Sequence, residues 1–449
     1  MGSCPRAITA ICLAASVLAL GALPQTTTPT RKKKSKAAPA PKTTAAMRSA
    51  AAAKVDQYLA DSAGHALQQP GALVAVFEQL ARLSAGQDPK SVHMMHFGDS
   101  HTAADEWTGG LRELFKARFG DGGAGFSVAG HPFPGYRRSD APGGASTLWH
   151  TYGGHTGVGD GYFGLGGVGI YTARPGQSVY LDAECDRLEI DYLIQPGGGK
   201  MALFDNDRRA DEISTDGEPG PGYAVYEISP GPHRFKLVTL DSHPVRLFGW
   251  AADRAAGVTY EALGLNGAEA VVMEHWDEAM TATYLQHRNP GLIVLAYGTN
   301  EATDSSWSVE GYRQMFGDVL SRLRRAAPTA SILVVGPGDR WRYSHGKWQV
   351  VPGIDEIVEA QQAACREHFC AFWNTRLRMG GAGAMRDWVY AGLAQWDFVH
   401  FTGAGYHRLA AAMFADLMEQ FEAYQKTRTE IGEPAPQGQA NHGQTDKDR

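Results

Sequence analysis

The chain of 449 residues carries 43% hydrophobic and 10% aromatic side chains, enough for a sizeable core and longer than the usual single-domain length of roughly 100 to 200 residues. Its 54 glycines and 23 prolines imply many turns, yet stay below low-complexity levels and exclude wholesale disorder. The formal charge of −6 conceals eight Lys/Arg and no acid within residues 1–48, so the remainder carries −14 and does not read as a nucleic-acid-binding body.

In chain order, Arg6 precedes an apolar run over 7–23 that ends at Pro24. This is the pattern of a secretory signal over residues 1–24, cleaved near 22–25, and implies a secreted or periplasmic protein. No small-residue lipidation box surrounds Cys4 or Cys12. The alternative is an uncleaved anchor of borderline length, opposed by the basic residues beyond it, so membrane contact is expected at most through this segment. Residues 25–48, rich in Thr, Pro, Ala and Lys, read as a solvated basic linker, and residues 427–449 as a disordered tail.

The first predicted strand, 92–97, is a short run rich in β-formers that leads into His96-Phe97-Gly98-Asp99-Ser100-His101. Gly98 lets the chain turn off the strand and presents Ser100 at its mouth, the placing of an exposed nucleophile with its own N–H as oxyanion donor. The same Gly-Asp-Ser also makes an ordinary Asx turn and helix cap. His93 and His96 read as packed or capping side chains. A helix is predicted over 111–119.

Residues 136–253 read differently. Runs at 177–183, 187–194, 200–204, 223–228, 233–240 and 244–250 are alternating or β-rich, with turns and no helix between them. They predict a jelly-roll-like β-sandwich inserted between the first and second strands of an α/β domain. Trp149, Tyr162, Phe163, Tyr223 and Tyr226 are its candidates for stacking on sugar rings, against the stronger expectation that each fills the core.

The α/β alternation resumes with strands at 257–263, 291–297, 331–336 and 370–373 and helices at 269–285, 309–325, 354–367 and 405–424. The fold class is therefore α/β: a three-layer α/β/α domain with a parallel five-stranded sheet, made of residues 49–135 and 254–426, plus an inserted module over 136–253. At the mouth of the strand 291–297 lies Gly298-Thr299-Asn300-Glu301, where the Asn300 amide is a candidate oxyanion donor or a helix cap. Asp397-Phe398-Val399-His400 lets a carboxylate hold an imidazole in one tautomer. Cys365 and Cys370 are spaced to pair across a helix-to-strand turn in an oxidising compartment, leaving Cys185 free.

Ordered this way, Gly98-Asp99-Ser100, Gly264-Leu265-Asn266-Gly267, Gly298-Thr299-Asn300 and Asp397-x-x-His400 resemble the four blocks of the SGNH/GDSL hydrolase family. The resemblance covers residues 91–135 and 255–424 and implies a flavodoxin-like frame. It makes Ser100 the nucleophile, His400 the general base and Asp397 its orienting acid. The Ser100 and Gly267 N–H groups and the Asn300 side chain would form the oxyanion hole, with Gly264 the competitor of Gly267. Glu301 departs from the commoner Asp. Together with the Gly-Asp-Ser-His form and the β-module, it looks like the subgroup of peptidoglycan O-acetylesterases with a carbohydrate-binding-like insert.

Asp99-Ser100-His101 also contains the Asp-x-His that opens metallophosphoesterase sites, but no Gly-Asn-His-Glu block follows, so no metal and no cofactor are expected. The resulting expectation is a secreted serine esterase that removes O-acetyl groups from a polysaccharide, peptidoglycan or a plant-wall glycan such as xylan, through an acyl-enzyme on Ser100. A polysaccharide O-acetyltransferase, a lipase or thioesterase of the same fold, and a non-catalytic glycan-binding protein stay open, as does the oligomeric state. The expected partner is the O-acetylated polysaccharide, with no nucleic acid.

Overall fold

The structure, a computed structural model, describes residues 43–87 and 90–432. The expected signal segment and most of the linker lie outside the described residues, as do residues 433–449.

Apolar runs with no polar face can form sheet strands only where both faces are covered. Five such strands form, Val92–Gly98, Val258–Gly264, Leu292–Ala296, Ser331–Val335 and Ala371–Trp373, all parallel. Val92–Gly98 lies between Val258–Gly264 and Leu292–Ala296, followed outward by the other two. A two-residue strand, Leu67–Gln68, adds an antiparallel edge beyond Ala371–Trp373 that the sequence reading does not contain. Side chains alternate between two cores. Ile293, Leu295, Ile332 and Val334 pack into one, whereas Leu292, Val294, Leu333 and Val335 pack into the other. This is the three-layer arrangement, with helices on each face.

The helices differ from expectation in several places, among them an unexpected helix, Val74–Ser84, and an earlier start, at Glu106, to the one expected over 111–119. Ala45–Asp61 is helical, capped by Thr44, so the expected linker ends sooner than residue 48. It buries only Ala51 and Val55, which leaves little periodicity to read. The stretch 269–285 is broken into a 3-10 turn, Ala270–His275, and a helix, Glu278–Arg288, started by Asp277, whose side chain accepts the Met280 N–H at 2.8 Å. The last helix, Gly403–Gly432, runs past residue 427, where a disordered tail was expected. Glu78 holds it there through the Tyr424 hydroxyl and the Arg428 guanidinium.

The second sheet has nine antiparallel strands. The expected strands 177–183 and 187–194 are one, Ser178–Ile194, and 223–228 and 233–240 are one, Gly220–Thr239. The Pro-Gly signal at 230–231 is a bulge, with the register shifting between Glu227 and Gly231, and not a chain reversal. There the inward parity switches from Val179, Leu181 and Ala183 to Leu188, Ile190 and Tyr192. Both halves share one core, so the sandwich is a single sheet bent on itself. Arg208–Ser214 is a further, polar edge strand. Gly123–Val128, within the span expected for the hydrolase part, pairs with Val245–Asp253 of this sheet. Phe126, Phe163 and Phe248 join the main-sheet residues Phe97 and Leu263 in one core, and both sheets belong to one compact unit.

Candidate active site

Gly98 ends its strand where any Cβ would sit 2.1 Å from Thr102 Oγ1 and 2.8 Å from the Ala296 carbonyl, so only glycine permits the turn. Asp99 then caps the short helix Ser100–Ala103 by accepting the His101 N–H at 2.9 Å. Ser100 is thereby left half-buried at the strand mouth, with its Oγ 2.9 Å from His400 Nε2. Asp397 Oδ2 lies 2.7 Å from His400 Nδ1, and Oδ1 accepts the N–H groups of Val399 and His400 at 2.9 and 3.0 Å. The structure thus brings Ser100, His400 and Asp397 into one hydrogen-bonded chain.

Burial opposes ionisation of Asp397, yet the hydrogen bonds from His400 and the two amides hold its carboxyl down at about 2. The hydrogen bond to Asp397 raises His400 above its ordinary value. Beneath the pair, burial pushes Asp99 up to about 6, and it pushes His101 down to about 3, so that ring is neutral. His101 packs on the His400 ring at 5.2 Å and is itself held by the Tyr406 hydroxyl at 2.9 Å.

Phe398, inside the Asp397–His400 turn, adopts a left-handed φ of 58°, uncommon for an aromatic residue. A hairpin, Trp341–Ser344 with Lys347–Val350, clamps it. The Trp341 N–H donates to the Phe398 carbonyl at 3.0 Å, and the Trp348 ring packs 4.3 Å from the Phe398 ring. The sequence reading missed this hairpin, although its signal is there: alternating Trp341, Tyr343 and Trp348 about a His345-Gly346 turn.

Opposite Ser100, the turn Leu265-Asn266-Gly267-Ala268 is closed by Ala268 N–H to Leu265 C=O at 3.0 Å and tied to Gly98 by the Leu265 N–H at 2.9 Å. Gly267 is exposed at φ 78°, whereas Gly264 is buried with its missing Cβ 2.1 Å from the Ala103 nitrogen. Asn300 Nδ2 donates to the Ala268 carbonyl at 2.8 Å and keeps a second hydrogen. Among the described residues the Ser100 and Gly267 N–H groups have no protein acceptor. Glu301, also missed as a site residue, is 2% exposed. It accepts Ala270 N–H at 2.9 Å on one oxygen and Gly298 N–H at 3.0 Å on the other, strapping the second block to the third. Burial pushes it up to about 8. Arg340 donates to the Thr299 carbonyl beside it.

The remaining candidates fall elsewhere. His93, half-buried, meets Thr259, and His96, within the packed interior, meets Tyr260, both at 2.9 Å. Cys185, Cys365 and Cys370 are buried and free. Phe163 is core, Trp149, Tyr162 and Tyr226 are partly buried, and Tyr223 is 44% exposed. Among the described residues no group of three His, Cys, Asp or Glu side chains could hold a metal ion.

A family model, the GDSL-like Lipase/Acylhydrolase family, matches residues 240–408, which include the second, third and fourth blocks. A solved structure described as "Peptidoglycan O-acetylesterase in action, 5 min" superposes with a TM-score of 0.67 at 25% identity, over 78% of this chain and 96% of that one. Family two carbohydrate esterases from Clostridium thermocellum and Cellvibrio japonicus match at 11% and 10% identity, over 57% and 63% of this chain and 95% and 98% of theirs. Their TM-scores of 0.26 are too low to carry an argument. A search of curated protein sequences found no match. The class is thereby defined as a carboxylic ester hydrolase on an SGNH-type α/β frame. Over residues 240–408 the chain is similar to the GDSL-like lipase/acylhydrolase family.

Proposed function

We propose that the protein is a secreted serine esterase that removes O-acetyl groups from a polysaccharide. The observation that carries the chemistry is the chain from Ser100 Oγ to His400 Nε2 at 2.9 Å and from His400 Nδ1 to Asp397 at 2.7 Å. In it, Ser100 Oγ attacks the ester carbonyl as His400 takes its proton. Asp397 keeps the imidazole in the tautomer that accepts at Nε2 and stabilises the imidazolium. The Ser100 and Gly267 N–H groups and the second Asn300 hydrogen receive the developing oxyanion. Gly267 fits this role better than Gly264, whose place is taken by close packing under the nucleophile turn. His400 then returns its proton to the departing sugar hydroxyl and activates a water that releases acetate from Ser100.

The polysaccharide reading is supported by the likeness to a peptidoglycan O-acetylesterase over most of the chain, and secretion by the apolar run of residues 7–23. The test is acetate release by purified protein from O-acetylated peptidoglycan, acetylated xylan and a long-chain ester. Release from a polysaccharide that disappears in Ser100→Ala supports the reading. Retained release in that variant overturns the mechanism, and preference for the long chain overturns the substrate.

A further inference from the structure

The proposed reaction makes no use of a cleft of about 870 Å³ at the amino-terminal end of the main sheet, a size in the range of ligand sites. Val92 and His93 line it, whereas Ser100 follows the far end of the same strand. One wall is a single face of the inserted sheet. Arg187, Glu189 and Asp191 alternate along one strand with the core residues Leu188, Ile190 and Tyr192, opposite Glu227, Val225 and Tyr223 of the next, and of these Arg187, Glu189 and Glu227 line the cleft. The facing wall is the end of the helix Glu278–Arg288.

This face is ionic where a sheet ordinarily meets a helix with apolar side chains. Glu189, Asp191, Asp253 and Arg288 are 5% exposed or less. Arg288 bridges Asp253, at 2.6 and 2.9 Å, to Glu261, and Arg187 bridges Glu189 at 2.6 Å to Asp253 at 3.3 Å. Asp191 Oδ1 and Glu261 Oε2 have no hydrogen-bond partner among the described residues. Withdrawing each ion from water costs several kcal/mol, and apolar residues of equal volume often stabilise more, so the packing alone does not account for this wall. Behind the lining residue Glu189, burial and the neighbouring Glu189 carboxylate raise Asp191 well above the carboxylate range.

The chemistry selects the class of ligand. The lining carboxylates are Asp186, Glu189, Glu227 and Asp253. They are matched in number by Lys90, Arg187, Arg254 and Arg288, so the lining carries no net charge to favour an anion or a cation. Fixed carboxylates and guanidinium groups instead suit the vicinal hydroxyls of a neutral polyol. Next to the cleft, the exposed Tyr223 ring stacks on the lining residue His287 at 4.0 Å and 24°, with the exposed Val225 two residues along the same strand. A flat ring next to charge-assisted hydrogen-bonding groups fits a pyranose, whose C–H face is apolar and whose edges are hydroxyls. We propose that this cleft is a second saccharide site, separate from the ester-cleaving centre, that holds a neutral sugar unit. It rests on the polysaccharide reading above only for the identity of the polymer to which that unit belongs.

The test is calorimetric titration of the full-chain Ser100→Ala protein with xylohexaose and chitohexaose. At least one oligomer is expected to bind, with affinity weakened by about tenfold or more on adding Tyr223→Ala or His287→Ala and kept within about twofold by Tyr223→Phe. With Ser100 intact, the same variants should leave p-nitrophenyl acetate turnover within about twofold, since none touches the reacting groups. Binding that is absent for both oligomers, or unchanged in Tyr223→Ala and His287→Ala, overturns the proposal. If no polysaccharide is deacetylated while the weakening persists, the substrate reading fails and the cleft assignment holds. If deacetylation proceeds and the variants bind normally, the cleft assignment alone fails.

Discussion

Replacing Glu301 by Gln keeps the side chain's shape and removes one acceptor. In the native site two backbone N–H groups, from Ala270 and Gly298, reach separate carboxylate oxygens at 2.9 and 3.0 Å. A Gln amide accepts only one of them and turns its NH2 toward the other, donor against donor, in a site 2% exposed. An unpaired buried N–H costs about 1–3 kcal/mol. Gly298 opens the turn that carries Asn300, and Ala270 lies two residues past the Ala268 carbonyl that holds the Asn300 amide. The displacement therefore falls on the oxyanion donors. Expressed wholly in the transition state, it lowers kcat between about fivefold and about 150-fold. The assay is p-nitrophenyl acetate hydrolysis across pH with thermal unfolding measured in parallel. We expect kcat to fall by about tenfold or more with KM within about twofold. Only the ionised carboxylate accepts both N–H groups fully, and burial sets its ionisation near 8. The wild type should gain activity through that pH, and the Gln variant should not. The folded value lies above the ordinary 4.5, so this group favours the fold most below 4.5, and that contribution declines as pH rises through about 8. A variant with unchanged kcat and pH profile but a lowered Tm would refute the positioning role and leave Glu301 a purely structural strap.

Further outcomes follow from the same geometry. The acidic limb of kcat/KM should titrate above 6.5, because Asp397 raises His400; Asp397→Asn should move that limb down and lower kcat by roughly 10⁴. Gly98→Ala should abolish turnover, since its methyl group would meet Thr102 and the Ala296 carbonyl beneath the nucleophile; activity within about tenfold of wild type would contradict the close packing. Trp348→Ala uncovers Phe398 and should lower both Tm and kcat, with ester turnover and melting measured on one preparation. Asp397 is depressed to about 2 from 3.8, so the stability it contributes is present above about 4 and lost as pH falls toward 2, a decline that Asp397→Asn should remove from acid unfolding curves.

The strand mouths were readable because each lies where a β-rich run ends in glycine: Gly98 before Asp99-Ser100, and Gly298 before Thr299-Asn300. Asp397 and His400 are three residues apart, so their pairing is a local matter that spacing reveals. Glu301 was visible only as a departure from a family pattern, because its two partners, Ala270 and Gly298, are backbone groups and leave no side-chain signature. The Phe398 clamp joins residues of separate segments through one backbone hydrogen bond and a ring contact, again without a motif. The merged strands escaped for another reason. Pro230 and Gly231 signal a turn equally well whether the chain reverses or bulges, and only the pairing of Gly231 with Cys185 and of Pro232 with Glu184 across the sheet decides which. Ala45–Asp61 escaped because a helix that buries two side chains leaves almost no apolar stripe.

The central position of Val92–Gly98 bears on the order of assembly. Both of its neighbours, Val258–Gly264 and Leu292–Ala296, follow the whole inserted sheet in sequence. The first main-sheet strand therefore has no main-sheet partner until the chain beyond Val258 is available, and the inserted sheet is itself closed by the distant pairing of Gly123–Val128 with Val245–Asp253. Ser100 and His400 consequently meet only when the last long-range closure is made. A chain that stops short of residue 400 lacks the base of the triad, so an incomplete copy has no means to attack an ester.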